Sequence, residues 1–446
     1  MSVHPAGTRW YHSVWRWHFY AGLICIPFVI WLAVTGSAYL WRPQIEGWLD
    51  RRFDQVPVSG PAASPDAQVA AALHAVPGST LRKYIVPETP EQAVRILVQG
   101  PDGDVRVYLA PHSLAVLETV REDGRLFAVI SRLHGELLAG TIGSYIVEAA
   151  ACWAIVMLLT GLYLWWPRGR RGLAGVLYPR VRGGKRLFWR DLHAVSGIWV
   201  SLFALGLILT GLPWAKSWGG YLAEVRAITG ATAGPVDWTI GGKAAKAEAS
   251  AEDHDGHRGM DAHGAAFAPG ELARVIAVAR PQRIAAPVLV SPPKSPGAPW
   301  SVASDAADRP QRADLKVDGA TGQLLSRRDF ADRHWIDRTI GYGIAAHEGA
   351  LFGLANQLLG TVTALLLVTL AVSGAVMWWR RRPSGLLGAP IPLTRPRFGW
   401  GLVSAIAALA IYMPMFGATL ALMLALDAVV LRQFTAARLW LGLARR

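Results

Sequence analysis

The sequence predicts an α-helical integral membrane protein. In it, a unit of helix, small external α+β domain and helix occurs twice and is followed by a C-terminal helical hairpin. Three observations lead to this prediction: long apolar blocks, short loops rich in arginine, and a repeat of histidine and glycine positions. The chain has 446 residues, of which 52% are hydrophobic and 17% charged, and this composition excludes a disordered or fibrous protein.

Four stretches are long and apolar enough to cross a membrane, because a hydrocarbon core about 30 Å thick needs about 20 helical residues. They are Phe19–Trp41, Leu137–Trp166, Ala194–Trp214 and Ala350–Trp379. A fifth block, Trp400–Leu431, is longer than one ordinary span and is interrupted at Pro414. We predict a short helical hairpin there, with one long kinked helix as the alternative. The chain is therefore expected to have six spans.

The short loops predict the orientation, because cytoplasmic loops carry an excess of Lys and Arg. The loop between spans 2 and 3 contains a single acid, Asp191, against Arg168, Arg170, Arg171, Arg180, Arg182, Lys185, Arg186 and Arg190. Span 4 is followed directly by Arg380, Arg381 and Arg382. We therefore place these loops and both termini in the cytoplasm. The two long loops then face the periplasm of a bacterium with two membranes. The net charge of +14 is explained by this membrane face, and no nucleic-acid partner is expected.

The predicted boundaries follow in chain order. They are 1–42 (N-terminus and span 1), 43–133 (first periplasmic domain), 134–166 (span 2), 167–191 (basic cytoplasmic loop), 192–214 (span 3), 215–346 (second periplasmic domain), 347–379 (span 4), 380–397 (cytoplasmic loop), 398–431 (hairpin) and 432–446 (cytoplasmic tail). Within the second periplasmic domain, residues 240–267 are rich in Ala, Gly, Asp and His, and this composition predicts a disordered insertion.

Both periplasmic segments show the same order of elements. In the first, a helix is predicted at Asp66–Ala75, with strands near Thr80–Val86, Ala93–Gln99 and Val105–Leu109. In the second, a helix is predicted at Pro269–Ala279, with strands near Pro287–Val290, Trp300–Ala303 and Ala313–Val317. Each segment is therefore expected to be a small α+β domain.

A repeat without gaps relates span 1 to span 3 and span 2 to span 4. His18 and His193 are each followed by Gly at +4 and by Thr-Gly at +17 and +18. His134 and His347 are each followed by Gly at +6 and by Thr-Gly or Ser-Gly at +26 and +27. We assign the glycines to close helix packing. Four of them could also leave room for a bound ring: Gly22, Gly197, Gly140 and Gly353.

The four repeated histidines are the candidate functional residues. His18 and His193 begin spans 1 and 3 at the cytoplasmic end, and His134 and His347 begin spans 2 and 4 at the outer end. Ionisable side chains at membrane helices mark functional sites by default, and two facing helices can each offer an axial imidazole to one haem iron. Zinc or copper is less favoured, because each pair lacks further Cys, His or carboxylate ligands.

Other candidates carry less weight. Glu136 and Glu348 lie beside the outer pair and could support it or exchange protons. The insertion holds His254, His257 and His263 among aspartates, but a solvated linker is favoured over a metal-capturing tract because the spacing matches no zinc site. The absence of CxxCH excludes covalently attached c-type haem. From His18 to Trp41 a helix would extend about 35 Å, so the two pairs could lie a membrane thickness apart.

Five short motifs carry a resemblance that covers nearly the whole chain: Trp17–Leu23, Leu133–Glu136, Asp191–Ala194, Ala346–Gly349 and the turn at Asp318–Gln323. With these motifs the chain resembles the PepSY-associated transmembrane family, to which bacterial inner-membrane di-haem ferric-siderophore reductases belong. The resemblance implies a duplicated helix–PepSY-like domain–helix unit with four core spans and two small α+β periplasmic domains, plus the C-terminal hairpin.

The resemblance also implies two haem b groups, each with two histidine ligands: His18 with His193 near the cytoplasm and His134 with His347 near the periplasm. Electrons would then cross the inner membrane to a ferric siderophore or another periplasmic acceptor and release Fe(II) for iron uptake. Because no GxGxxG motif is present, the donor is expected to be a cytoplasmic protein or a quinol. The alternative is a haem-free PepSY membrane protein that binds or restrains a periplasmic partner.

Overall fold

The computed structural model describes residues 6–167, 172–229, 267–390 and 399–443. The insertion predicted at 240–267, apart from Phe267, therefore lies outside the described residues, and so do its three histidines. Arg168, Arg170 and Arg171 of the basic loop also lie outside them.

Among the described residues, five helical segments are long and apolar enough to cross a membrane. Four are α1 (Ala6–Leu40), α5 (Gly140–Trp165), α6 (Lys185–Gly211) and α10 (Gly353–Arg381), and the fifth is Pro414–Gln433, which consists of α12 (Pro414–Val429) and the short turn after it. The chain is therefore a multi-pass membrane protein. Helix α1 packs against α5 and α10, and α6 packs against α10 and α5, so these four helices form a bundle.

The fifth apolar block contains two helices, and only the second is among the five spans. Helix α11 (Trp400–Tyr412) ends at Met413, and α12 starts at Pro414, whose missing N–H and fixed φ favour the first position of a helix. The 13 residues of α11 extend only about 20 Å, which is too short for the hydrocarbon core. The prediction of six spans is thus reduced to five long helices and one short apolar helix.

The helices of spans 2 and 4 begin later than predicted. The short helices α4 (Leu126–Glu136) and α9 (Trp335–His347) end at the predicted span starts, and the membrane helices begin only at Gly140 and Gly353. Both glycines have positive φ, of 56° and 55°, which lets the chain turn sharply into the membrane helix. The turn is tight, because a Cβ on Gly143 would lie 1.6 Å from the carbonyl oxygen of Glu136. His134 and His347 therefore lie on external helices rather than within the spans.

In the described part of the external segments, eight strands and two helices that pack on them form one layer. The elements are α3 (Pro65–Ala75), β1 (Thr80–Val86), β2 (Val94–Gly100), β3 (Gly103–Leu109), β4 (Val116–Arg121), α8 (Glu271–Ala279), β5 (Val288–Ser291), β6 (Trp300–Ser304), β7 (Ala313–Val317) and β8 (Leu324–Asp329). A strand is present at each predicted position, and β4 and β8 are additional. Both are exposed edge strands that lack the apolar alternation by which strands are recognised.

The eight strands form a single antiparallel sheet in the order β4-β3-β2-β1-β5-β6-β7-β8. The two predicted α+β domains therefore share one sheet, because β1 pairs with β5 at Tyr84↔Val290. Helices α3 and α8 cover one face, and the core between them includes Val69, Val94 and Trp300. The sheet thus joins the two external segments into one layer.

Three further helices complete the described chain: α2 (Arg42–Leu49), α7 (Lys216–Ile228) and α13 (Thr435–Leu441). The first turn of α7 is bound by the buried carboxylate of Glu148, which accepts hydrogen bonds from the backbone N–H groups of Ser217 (2.9 Å) and Trp218 (3.1 Å). A carboxylate at a helix N-terminus satisfies free N–H groups and the helix dipole. Glu148 therefore has a structural role in holding α7 against the bundle.

Candidate cofactor site

Two histidine pairs lie between the helices of the bundle. The ring centroids of His18 and His193 are 6.3 Å apart, and those of His134 and His347 are 6.4 Å apart. Each pair takes one histidine from the first half of the chain and one from the second. The structure thus brings together the residues that the repeat relates by position.

Each histidine is oriented through Nδ1 by a neighbouring helix. The Nδ1 contacts are His18 to Thr160 Oγ1 (3.0 Å), His134 to Thr35 Oγ1 (3.0 Å), His347 to Thr210 Oγ1 (3.1 Å) and His193 to the carbonyl oxygen of Leu370 (3.0 Å), with Ser373 Oγ at 3.3 Å. The threonines and the serine are the hydroxyl residues of the repeated Thr-Gly and Ser-Gly dipeptides. Their contacts with the histidines are a feature that the sequence analysis missed, although it identified their positions.

These contacts define which nitrogen carries the proton. The hydroxyls of Thr160, Thr35 and Thr210 each donate to a carbonyl of their own helix at 2.8 Å, so their oxygens accept the hydrogen bond from Nδ1–H. A carbonyl can only accept, so His193 also donates from Nδ1. Each imidazole therefore holds its proton on Nδ1 and leaves the Nε2 lone pair for a metal, the arrangement typical of metal-binding histidines.

The glycine after each hydroxyl residue lets the imidazole approach the helix backbone. A Cβ at that position would lie 3.0 to 3.3 Å from the histidine Cε1 in all four cases: Gly36 with His134, Gly161 with His18, Gly211 with His347 and Gly374 with His193. By contrast, a Cβ on Gly22 or Gly197 would contact Met157 or Leu370 at 3.5 Å, which is ordinary helix packing. Each Thr-Gly or Ser-Gly dipeptide thus forms the helix surface on which one imidazole ring packs.

The two pairs lie closer together than the full length of a span. Thr35 of α1, which contacts His134 of the outer pair, lies 17 residues after His18 of the inner pair. At 1.5 Å per residue, the two pairs are therefore about 25 Å apart along the axis of α1, rather than about 35 Å. Helix α6 gives the same separation, because Thr210 lies 17 residues after His193.

An apolar groove of about 260 Å³ lies between α1 and α10 in the turns that hold the outer pair. Ala33, Val34, Ser37, Ala38 and Trp41 form one side of the groove, and Ala364, Leu365 and Val368 of α10 form the other. None of the four histidines lines this groove.

The model of the family described as PepSY-associated TM region matches residues 15–381, most of the chain and all four histidines. The chain belongs to the PepSY-associated TM family. A comparison with curated proteins finds no match. In this PepSY-associated TM protein, the matched region ends at the last residue of α10, so α11, α12 and α13 lie outside it.

The surroundings of the outer pair keep its imidazoles neutral. Burial and, to a smaller extent, the neighbouring His347 lower the pKa of His134 to about 4. Burial also lowers the pKa of His347. A histidine must be neutral to bind a metal, so this environment favours the ligand form at physiological pH.

Glu348 and Glu136, the two carboxylates next to the outer pair, differ in their surroundings. Glu348 Oε2 lies 3.9 Å from Arg309 Nη2. Burial raises the pKa of Glu348, while Arg309, Arg312 and Arg42 lower it. Glu136 is the last residue of α4, and its backbone carbonyl accepts from Ala139 N–H at 2.8 Å in the turn into the membrane.

Proposed function

We propose that this PepSY-associated TM protein holds two haem b groups, one between His18 and His193 and one between His134 and His347. The orientation of the four imidazoles carries the proposal. With an imidazole–metal bond of about 2 Å, two rings on opposite sides of one iron have centroids about 6 Å apart. The separations of 6.3 and 6.4 Å fit that arrangement, with Nε2 available on each ring.

Bound haem would supply one-electron chemistry. The chain's own residues would hold the cofactors at two levels of the membrane, fix the imidazole tautomers through the hydroxyl residues, and exclude water with the apolar bundle. Two redox sites about 25 Å apart along the helix axes suit electron transfer from one side of a membrane to the other. We therefore infer transmembrane electron transfer as the function.

The proposed acceptor is a ferric siderophore in the periplasm, and the proposed location is the bacterial inner membrane with both termini inside. The excess of cations in the loops after α5 and α10 supports this orientation. The motifs around the four histidines support the acceptor, because they resemble those of ferric-siderophore reductases. Reduction to Fe(II) would weaken hard oxygen ligation and release the metal. The related positions in the two halves are taken to reflect a duplicated unit.

The first test is the absorption spectrum of detergent-purified protein before and after dithionite reduction, with haem quantified as its pyridine complex. We expect two b-type haems per chain and reoxidation of the reduced protein by a ferric hydroxamate siderophore. A protein that stays colourless after haem is supplied would overturn the proposal. The haem-free alternative, a protein that binds a periplasmic partner, would then be favoured.

Replacing Thr35 with Val should weaken haem binding at the outer site. The substitution keeps the side-chain volume but removes the oxygen that accepts from His134 Nδ1. Loss of such a supporting hydrogen bond typically lowers metal affinity about 10- to 100-fold. The measurement is the rate of haem transfer to excess apomyoglobin.

The matched control is Thr369→Val, because the Thr369 hydroxyl donates to Leu365 O of its own helix in an exposed hydrogen bond. Equal rates of haem loss in Thr35→Val and Thr369→Val would contradict the assigned role of Thr35.

A further inference from the structure

One end of the bundle carries a concentrated positive charge. Seven exposed cations lie at the start of α6 and the end of α10: Arg182, Lys185, Arg186, Arg190, Arg380, Arg381 and Arg382. The single acid in residues 172–191 and 380–390 is Asp191, which is fully buried. Its carboxylate is bound by Arg180 Nε (2.7 Å) and Arg190 Nη2 (2.5 Å). No exposed carboxylate on these two segments balances the cations.

The cationic surface is held in a fixed shape. The indole N–H groups of Trp165 and Trp199 donate to the carbonyls of Val176 (3.0 Å) and Leu177 (2.9 Å), which ties the loop before α6 to the bundle. At the end of α10, the guanidinium of Arg382 lies 3.9 Å from the centre of the Trp379 ring. Such stacking restricts an arginine without neutralising it. The surface is thus preorganised for an anionic partner.

The same surface adjoins the inner histidine pair. Asp191, which Arg180 and Arg190 bind, lies two residues before His193 on α6. The guanidinium of Arg381 lies 5.0 Å from the centre of the Trp15 ring, and Trp15 lies one helical turn before His18. The part of the surface formed by Arg190 and Arg381 therefore lies within about 10 Å, or two helical turns, of the inner ligands.

We propose that this surface docks a small acidic electron-transfer protein that donates single electrons to the inner site. The inference rests on the proposed function and identifies the donor left open there. In each transfer the donor loses one electron and the inner site gains it, with no bond made or broken. An uncharged quinol would gain nothing from seven cations, whereas complementary charge accelerates protein association about 10- to 1,000-fold.

The test uses haem-loaded protein in nanodiscs of neutral phosphatidylcholine and stopped-flow reduction by flavodoxin hydroquinone, an acidic one-electron donor. The variant is Arg182→Gln with Lys185→Gln and Arg186→Gln, which leaves the other cations in place to maintain orientation. We expect its second-order rate at low ionic strength to fall at least about tenfold, and the wild-type rate to fall as NaCl is added. Reduction by dithionite should be unchanged.

The control removes the same charge from the segments that carry the sheet, at three exposed positions outside the strands, with Arg51→Gln, Arg283→Gln and Lys294→Gln. Equal flavodoxin rates in the variant, the control and the wild type would overturn the inference. Cations that serve only to bind anionic lipid headgroups would also give that result in neutral nanodiscs. A preparation without haem would contradict the proposed function instead, so the two failures are distinguishable.

Discussion

Replacing His193 with alanine should remove one of the two haems and leave the other in place. The inner site would lose one of its two ligands, while the outer pair lies about 25 Å away along the helices and shares no ligand with it. His18→Ala should have the same effect, and the double variant should lose no more haem than either single variant. The measurement is haem per chain by the pyridine method.

The outer pair should behave in the same way when His134 or His347 is replaced. His74→Ala is the control, because His74 is an exposed residue of α3 that lies far from both pairs in the fold. Loss of both haems, or of neither, on replacing a single ligand would contradict the assignment of His18 with His193 and His134 with His347.

Replacing Asp337 with alanine should destabilise the protein by about 3–5 kcal/mol, because it leaves a buried guanidinium without its carboxylate. Arg226 is fully buried, and its Nε lies 2.9 Å from Asp337 Oδ1, joining α7 to α9. Since α9 ends at His347, we also expect weaker haem binding at the outer site but not at the inner one. The free energy of unfolding can be measured by denaturant titration in one detergent.

The matched control is Asp123→Ala, which breaks the exposed pair of Arg121 and Asp123, whose side chains are both 55% exposed. Exposed pairs typically contribute at most about 1 kcal/mol. The double variant Arg226→Met with Asp337→Leu should recover most of the lost stability, because no buried charge then remains. If Asp337→Ala cost no more than Asp123→Ala, the pair would have no special role.

Local sequence patterns were sufficient for much of the fold. The predicted strand near Thr80–Val86 is β1, and the predicted strand at Ala313–Val317 is β7. β7 buries Ala313, Leu315 and Val317, so its sequence alternates in a recognisable way, whereas β1 is recognised by the Gly and Pro turns that flank it. The joining of β1 to β5 could not be predicted in this way, because pairing between segments some 200 residues apart leaves no local pattern.

The four histidines could be predicted from the sequence, whereas the residues that hydrogen-bond to them could not. Recurrence at fixed offsets identified His18, His134, His193 and His347 from the sequence. The hydroxyl contacts depend on how neighbouring helices pack: Thr35 of α1 contacts His134 of α4, and Thr160 of α5 contacts His18 of α1. A glycine with an adjacent threonine is also a common packing motif, so its second role became visible only once the helices were placed.

The β1–β5 pairing has a consequence for the two halves as separate molecules. In the intact sheet these two strands cover each other's hydrogen-bonding edges, and only β4 and β8 remain as free edges. A half expressed alone would expose β1 or β5 as an unprotected template for another chain. It would also carry one histidine of each pair, so association of two identical halves about a twofold axis would seal the sheet and complete both pairs at once. Separate halves should accordingly fold only as dimers, and their covalent connection in one chain makes this assembly independent of concentration.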